Sequence, residues 1–151
     1  MSLPIMKDVA VRDFLAGRHV GVLGVNRRQG GPQLVPVWYA YEDGDIWIPT
    51  ELRVAKVANI SRDPEVSFCV DDKSPPHKGV VMYCTAEIIT EGIIERRRRI
   101  MSRYVGDEEG ERIAAEPRPL GMALIRLKPH RTYSYDYSIS DQGWSDIDDY
   151  R

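Results

Sequence analysis

The chain has 151 residues, of which 42% are hydrophobic and 29% charged, with 21 basic and 23 acidic side chains. These values are typical of one globular domain, and they exclude a collagen, a coiled coil, a wholly disordered chain and a disulfide scaffold. The net charge of −2 does not favour nucleic acid as a partner, because polyanion-binding domains are usually strongly basic.

The sequence carries no sign of a membrane span or of an export signal. Its longest apolar runs fall far short of the roughly 20 residues that a span needs, and the N-terminal segment has no apolar core. Two cysteines could form at most one disulfide bond, which is too few to stabilise a chain of this length. We therefore expect free thiols in a cytoplasmic protein.

Hydrophobic periodicity and turn signals predict short helices and hairpin-connected strands along most of the chain. An amphipathic helix is predicted first, over residues 7–16, and Gly17 ends it. A continuous antiparallel meander follows over residues 19–50, with an Asp43-Gly44 hairpin signal. Its three strands cover residues 19–26, 32–41 and 45–50. The later strands are predicted over residues 65–72, 80–90, 120–128 and 130–138, and the later helices over residues 51–61, 91–105 and 107–116.

The order of these elements predicts a mainly β (α+β) domain. The strands are joined by hairpins and are not separated by regular crossover helices, which argues against a doubly wound parallel sheet. We expect an antiparallel barrel or α+β domain over residues 1–139. An acidic tail over residues 140–151 follows, and we expect it to fray.

Several familiar catalytic and metal-binding patterns are missing from the sequence. His19, His77 and His130 are scattered, so no metal site is expected. The chain has neither a nucleophile elbow nor a phosphate loop. It therefore does not indicate a hydrolase, a kinase or a metalloenzyme.

The segment at residues 34–39 places Pro36 inside a predicted strand. Proline removes a donor from the strand ladder, so it is typical of an edge strand or a bulge. The free backbone groups of an edge can hydrogen-bond a planar heterocycle, while Val37 or Trp38 packs on its face. The alternative is an edge-strand proline with no ligand.

The segment at residues 50–59 carries the residue types of an anion cradle. Thr50 is predicted to cap the helix that follows, and helix N-termini suit phosphate groups. Arg53, Lys56 and Asn59 recur every three residues, which places them on one helix face. The alternative is a capped helix with an exposed polar face.

An ordered series of short motifs runs from about Val11 to Tyr137. Its members are Phe14-Leu15-Ala16, Val35-Pro36-Val37-Trp38-Tyr39, Asp43-Gly44, Thr50, Lys56, Asn59, Arg62-Asp63-Pro64, Val70-Asp71-Asp72, Thr85-Ala86-Glu87 and Ile125-Arg126-Leu127-Lys128-Pro129. This series resembles the flavin-binding split-barrel family of pyridoxamine 5′-phosphate oxidase-like proteins. The likeness is closest to the short members that use FMN or a deazaflavin.

The resemblance implies a six-stranded antiparallel split β-barrel with short flanking helices. It also implies a homodimer with two cofactor sites at its interface. The implied cofactor is FMN or a deazaflavin of the 8-hydroxy-5-deazaflavin type. By position in the family motifs, the ring would be held by Val35, Pro36, Val37 and Trp38, and the ribityl phosphate by Thr50, Arg53, Lys56 and Asn59. Tyr83 stands where it would shape the pocket for a small-molecule substrate.

The implied activity is an oxidoreductase that passes a hydride between the cofactor and an unknown small organic substrate. The cofactor carries the redox chemistry in such proteins, so no dedicated catalytic residue is expected. Val54 and Ala55 depart from the Ser-Arg found in many relatives. Two alternatives stay open: a non-catalytic carrier or sensor of flavin or tetrapyrrole, and a stress-response module that has lost its ligand.

Two further features have structural interpretations. The four arginines at residues 96–99 point all round a helix, so we expect a solvated helix with surface ion pairs. Cys69 and Cys84 are nearly symmetric about the loop between their strands and are candidates for cross-strand neighbours. The alternatives are a redox pair and two buried thiols, of which the second is favoured.

Overall fold

The computed structural model describes residues 8–139, so the predicted tail lies outside the described residues. The helices are α1 (Asp8–Ala16), α2 (Ala55–Arg62), α3 (Ile94–Val105) and α4 (Asp107–Ala115). The strands are β1 (Gly21–Val25), β2 (Gln33–Val37), β3 (Ala40–Glu42), β4 (Asp45–Glu51), β5 (Glu65–Asp72), β6 (Lys78–Ile89) and β7 (Met122–Asp136). A single 3-10 turn, Tyr137–Ile139, follows β7. None of the helices within residues 8–139 is both long and apolar enough to cross a bilayer.

All seven strands form one antiparallel sheet in the order β2-β1-β5-β6-β7-β4-β3. Alternate side chains of each strand face the interior, as the period of two requires. Gly21, Leu23 and Val25 of β1, for example, are buried, whereas Val22 and Gly24 between them are only half-buried. The expected mainly β split-barrel fold is confirmed, with seven strands instead of six.

The two outer strands of this sheet are joined by a very short crossover. β2 ends at Val37 and β3 begins at Ala40, yet they lie at opposite edges of the sheet. Three Cα–Cα steps of about 3.8 Å bring the edges within about 11 Å, so the sheet must curl into a barrel that is split between them. The predicted continuous meander over residues 19–50 was therefore wrong: it consists of two hairpins on opposite edges.

Pro129 explains why two strands were predicted where one is observed. β7 runs through the proline without ending, and the register with β6 shifts between Tyr83 and Cys84. Tyr83 lies opposite Arg131 and Cys84 opposite Pro129, so β7 carries one extra residue at this point. The ladder is interrupted at such a bulge, so a proline without a backbone N–H can be tolerated there.

The barrel interior holds the main hydrophobic core, and Tyr39 is the largest of its fully buried side chains. Tyr39 is fully buried, packs edge-on against Phe68, and donates its hydroxyl to the carbonyl of Leu15 at 2.8 Å. A second, smaller core packs α3 on the sheet through Ile93, Ile100 and neighbouring residues. The crossover between β2 and β3 is thus fixed from both sides.

The two thiols do not face each other. Cys84 lies opposite Val66 and is buried in the core, whereas Cys69 lies opposite Val81 and is half-buried on the other face of β5. The expectation of cross-strand neighbours was wrong, because the β5–β6 register is offset from the symmetry of the loop. Both cysteines are free.

Candidate functional site

A cleft of about 630 Å³ opens beside the crossover, where the two edges of the sheet approach each other. It is lined by Val20, Pro36, Val37, Trp38, Pro49, Lys56, Met101, Arg112, Ile113, Glu116 and Arg118. A second cavity of about 350 Å³ shares part of this lining and is bounded by Pro49, Thr50, Glu51, Val54, Lys56, Arg97 and Arg118. Residues from both sequence-predicted segments, 34–39 and 50–59, therefore meet in one region.

One wall of the cleft is formed by the end of β2. This strand is at the edge of the sheet, as Pro36 predicted, so one row of its backbone groups faces no other strand among residues 8–139. Trp38 stacks on Tyr104 of α3, with ring centroids 4.8 Å apart and planes 3° from parallel. Val35 packs toward the barrel core and is not among the residues that line the cleft.

Lys56 lies in the first turn of α2 and lines both cavities. Burial lowers the pKa of Lys56 below its ordinary value, and nearby Glu51 acts in the opposite direction. Thr50 is buried near the end of β4 and lines the smaller cavity. Its hydroxyl donates to the carbonyl of Glu51 at 2.9 Å.

The predicted cap and the predicted start of α2 were wrong. The helix begins at Ala55, and the residue at its N-cap is Val54, which makes no side-chain capping bond. Residues 50–51 instead continue β4, which pairs with β7 as far as Met122. Tertiary pairing with β7 has therefore outweighed the local capping preference of Thr50.

Two members of the predicted cradle are engaged elsewhere. Arg53 precedes α2, so it does not share a helix face with Lys56, and its guanidinium donates to the carbonyl of Pro119. Asn59 accepts a hydrogen bond from Arg62 Nη1 at 2.8 Å. Neither residue lines the two cavities.

Tyr83 lies on the outer face of the sheet, away from this cleft. It packs edge-on against Tyr133, with centroids 6.0 Å apart, and 42% of it is exposed. It lines a separate cleft of about 520 Å³ together with Leu34, His130 and others. Within one chain, then, Tyr83 is not brought to Lys56 and Trp38.

Arg97 is the residue whose position the sequence interpretation missed. It is only 3% exposed, whereas its neighbours in the run behave as expected of a solvated helix. Arg98 pairs with Glu95, and both Arg96 and Arg99 pair with Glu42. The signal was present in the spacing, since residue 97 falls on the inward stripe of α3 with residues 93, 100, 101 and 104.

Helix α4, which packs against α3, and the residue that follows it supply further parts of the cleft wall. Gly110 of α4 lies so close to α3 that an added Cβ would come within 2.5 Å of Ser102 Cα. This close crossing places Arg112, Ile113 and Glu116 over the cleft. No three His, Cys, Asp or Glu side chains are grouped to hold a metal ion in the part of the chain that the structure describes.

The fold and this cleft define an antiparallel split-barrel protein with a candidate ligand site beside its edge strands. The family model described as pyridoxamine 5′-phosphate oxidase matches residues 8–136. The match covers nearly all of the described residues, and the chain belongs to the pyridoxamine 5′-phosphate oxidase family. The comparison with curated protein sequences gave no match.

Solved structures show the same architecture. A conserved hypothetical protein from Mycobacterium tuberculosis is 26% identical, with a TM-score of 0.76 over 96% of this chain and 98% of that one. An F420 reductase is 19% identical (TM-score 0.67, 85% of this chain and 98% of that one). A FAD-binding protein from Mesorhizobium loti is 21% identical (TM-score 0.67, 89% and 96%). The last two identities are low enough that the likeness shows the fold alone.

Proposed function

We propose that this protein is an FMN- or deazaflavin-dependent oxidoreductase that passes a hydride between the cofactor and a small organic substrate. The observation that carries the proposal is that one cleft joins the Pro36-Val37-Trp38 edge to Lys56. The family match supports it, as do the names of two structural neighbours, an F420 reductase and a FAD-binding protein.

The lining of the cleft fits a flavin-type molecule at both ends. Its volume of about 630 Å³ lies within the usual range for small-molecule and cofactor sites. Proline, valine and tryptophan at one end can pack on a flat heterocycle, and the free edge of β2 can hydrogen-bond its polar rim. Lys56 at the other end can neutralise a phosphate, and Thr50 lies beside it in the adjoining cavity.

The side chains around the cleft suit binding and orientation more than proton transfer. The titratable residues that line it are Lys56, Arg112, Glu116 and Arg118, with neither histidine nor cysteine among them. When bound, a flavin or deazaflavin would supply the hydride chemistry itself. The protein's part is then to position the ring and to exclude water from its face.

We also propose that the protein functions as a homodimer with Tyr83 near a site formed with the second subunit. The outer face that carries Tyr83 also exposes Leu34 and Tyr133, which are 68% and 41% accessible. Large apolar side chains grouped on a surface are typical of an interface. Sedimentation of the purified protein tests this proposal, and a monomer at all concentrations would contradict it.

A non-catalytic carrier or sensor on the same fold is the second candidate. It is favoured by the lining of the cleft, which offers side chains for binding and includes neither histidine nor cysteine. Turnover of the reduced cofactor with candidate organic acceptors separates the two functions. Tight binding without oxidation of the reduced cofactor by any acceptor would favour the carrier.

The first experiment is a fluorescence titration of the purified protein with FMN and, separately, with the 8-hydroxy-5-deazaflavin cofactor. We expect micromolar or tighter binding of one of them. We also expect Trp38→Leu to weaken that binding, because the variant removes aromatic packing from the wall of the cleft formed by Pro36, Val37 and Trp38 (the ring wall). Arg98→Met is the control, since Arg98 pairs with Glu95 on the surface. Absence of binding by both compounds would contradict the proposal.

A further inference from the structure

The cleft of about 520 Å³ on the outer face of the sheet, the outer cleft, shares no residue with the cleft beside the crossover. Its floor follows from the register of four neighbouring strands. Leu34 of β2 pairs with Gly24 of β1, and Gly24 pairs in turn with Ser67 of β5. Ser67 pairs with Tyr83 of β6. Two small residues therefore lie between two large ones, and this order leaves a trough across the strands.

The space above Gly24 is open enough to hold part of a ligand. An added Cβ would meet Leu34 Cδ2 at 3.5 Å and Ser67 Cβ at 3.7 Å, which are ordinary contact distances. The φ angle of Gly24 is not positive, so its backbone does not require glycine. Glycine inside a strand weakens the sheet, and it is typical of sites where a ligand approaches closely.

One end of the outer cleft has a polar rim that is held in place by hydrogen bonds. Glu65 Oε1 accepts a hydrogen bond from Thr85 Oγ1 at 3.1 Å, and Glu65 Oε2 lies 3.0 Å from His130 Nε2. Asn26 Nδ2 donates to the carbonyl of Glu65 at 3.3 Å. Both carboxylate oxygens of Glu65 are therefore engaged.

Arg131 is the permanent cation of this cleft, and no carboxylate within residues 8–139 forms an ion pair with it. Its guanidinium lies 5.0 Å from the ring centroid of Tyr133, which packs edge-on against Tyr83. The fork of a guanidinium matches the two oxygens of a carboxylate. Leu34 and Tyr83 offer apolar surfaces on which a flat ring can pack. The lining therefore suits a molecule that combines an aromatic ring with a carboxylate.

We propose that the outer cleft binds a planar aromatic carboxylic acid, with its ring over Gly24 and Ser67 and its carboxylate on Arg131. Three strand spacings of about 4.8 Å separate the backbones of Leu34 and Tyr83 by about 14 Å, which leaves room for one or two fused rings. The volume also lies within the usual range for small-molecule sites. This site goes beyond the proposed function, because a ligand held there requires neither the flavin-type cofactor nor its cleft.

The test measures binding of 2-naphthoate by calorimetry, with 2-naphthamide as the neutral compound of the same shape. Arg131→Met removes the cation and keeps an unbranched side chain, and Arg98→Met makes the same change at a surface ion pair as its control. Gly24→Val fills the trough with a residue that suits a strand. Gly31→Val is its matched control, since an added Cβ at Gly31 meets no atom within 4 Å.

We expect 2-naphthoate to bind at least about tenfold more tightly than 2-naphthamide, because the carboxylate pairs with a guanidinium. Arg131→Met should abolish this difference, and Gly24→Val should weaken the binding of both compounds at least about tenfold. The two control variants should behave as the original protein. Equal affinities for the acid and the amide, or 2-naphthoate binding that is unchanged in both Arg131→Met and Gly24→Val, would overturn the proposal.

Two further measurements separate this site from the proposed cofactor cleft and from the proposed subunit interface. Trp38→Leu should leave 2-naphthoate binding unchanged, and its loss there would assign the acid to the other cleft and overturn the proposal. A 2-naphthoate affinity that falls as the subunits associate would show that a second copy covers the outer cleft, which would also overturn it. Binding of 2-naphthoate that requires Arg131, without binding of FMN or the deazaflavin, would support this site and contradict only the proposed function.

Discussion

The hydroxyl of Tyr104 lies 3.1 Å from the backbone nitrogen of Tyr39 and accepts a hydrogen bond from it. The same hydroxyl donates to the carbonyl of His19 at 2.6 Å, while the ring stacks on Trp38. One side chain of α3 therefore fixes the crossover between β2 and β3 and the indole that lines the cleft. The position of Trp38 in the wall of the cleft is therefore expected to depend on Tyr104.

Tyr104→Phe tests that dependence, since it keeps the stacked ring and removes only the hydroxyl. It leaves the Tyr39 amide and the His19 carbonyl without their partner, which costs about 1–3 kcal/mol of unfolding free energy. We also expect weaker flavin binding, because the crossover becomes less well fixed. Urea denaturation and the fluorescence titration measure the two effects.

Tyr133→Phe provides the comparison for this variant. Tyr133 is exposed on the outer face of the sheet, and the same atom is removed there. Its unfolding free energy should stay close to that of the original protein. Equal losses in the two variants would show that the Tyr104 hydroxyl has no special role at the crossover.

Lys56→Ala should weaken cofactor binding by about 1.5–3 kcal/mol, the range for a hydrogen bond to a charged group. Lys56 lines both the cleft and the smaller cavity, so a ligand bound in either of them would lie beside its ammonium group. Lys128→Ala is the control, because Lys128 pairs with Glu87 away from the cleft. An unchanged dissociation constant for FMN and for the deazaflavin would remove Lys56 from the site.

The affinity for a phosphate-bearing ligand should fall as pH rises through the lowered pKa of Lys56. Burial places this pKa below the ordinary value of 10.5, so the positive charge is lost earlier on the alkaline side than for a free lysine. Titrations above about pH 7.5 keep the phosphate dianionic throughout. Lys56→Arg should flatten the profile, since arginine stays charged. The same alkaline fall in both proteins would assign it to another group.

The fold was largely predictable because the dominant signals were local. Alternating apolar residues and the Asp43-Gly44 turn identify hairpins directly from sequence. What the sequence did not show was long-range pairing. Pro129 was interpreted as a break because the bulge that tolerates it depends on the register with β6, and the crossover after Val37 depends on the curl of the whole sheet.

The candidate site was predictable in part for the same reason. Pro36 indicated an edge strand, which the order of the sheet confirms, and Lys56 lines the same cleft as this edge segment. Arg53 was grouped with Lys56 because a helix was predicted from residue 51, and pairing of β4 with β7 delays that helix to Ala55. Arg97 was interpreted as solvated because it lies in a run of four arginines, although its spacing places it on the inward-facing stripe of α3.

The two thiols should not form an intramolecular disulfide. Cys69 is three residues beyond the position opposite Cys84, a distance of about 10 Å along β5, and a disulfide needs Cα atoms within about 7 Å. Burial raises the pKa of both thiols, with Asp71 adding to the effect at Cys69. Alkylation should therefore be slow at neutral pH and slowest at Cys84. A mild oxidant that joined the two within one chain would contradict the register.

Cys84 should also make stability fall on the alkaline side. Burial, aided by Glu65 and Asp45, raises the pKa of Cys84 from 9.0 to about 12. The unfolded thiol then loses its proton first as pH rises above 9.0, so the unfolded state is favoured progressively up to about 12. Urea denaturation at about pH 8 and about pH 10 should show a larger loss for the original protein than for Cys84→Ala. Equal losses in the two proteins would mean that the thiol titrates alike in both states.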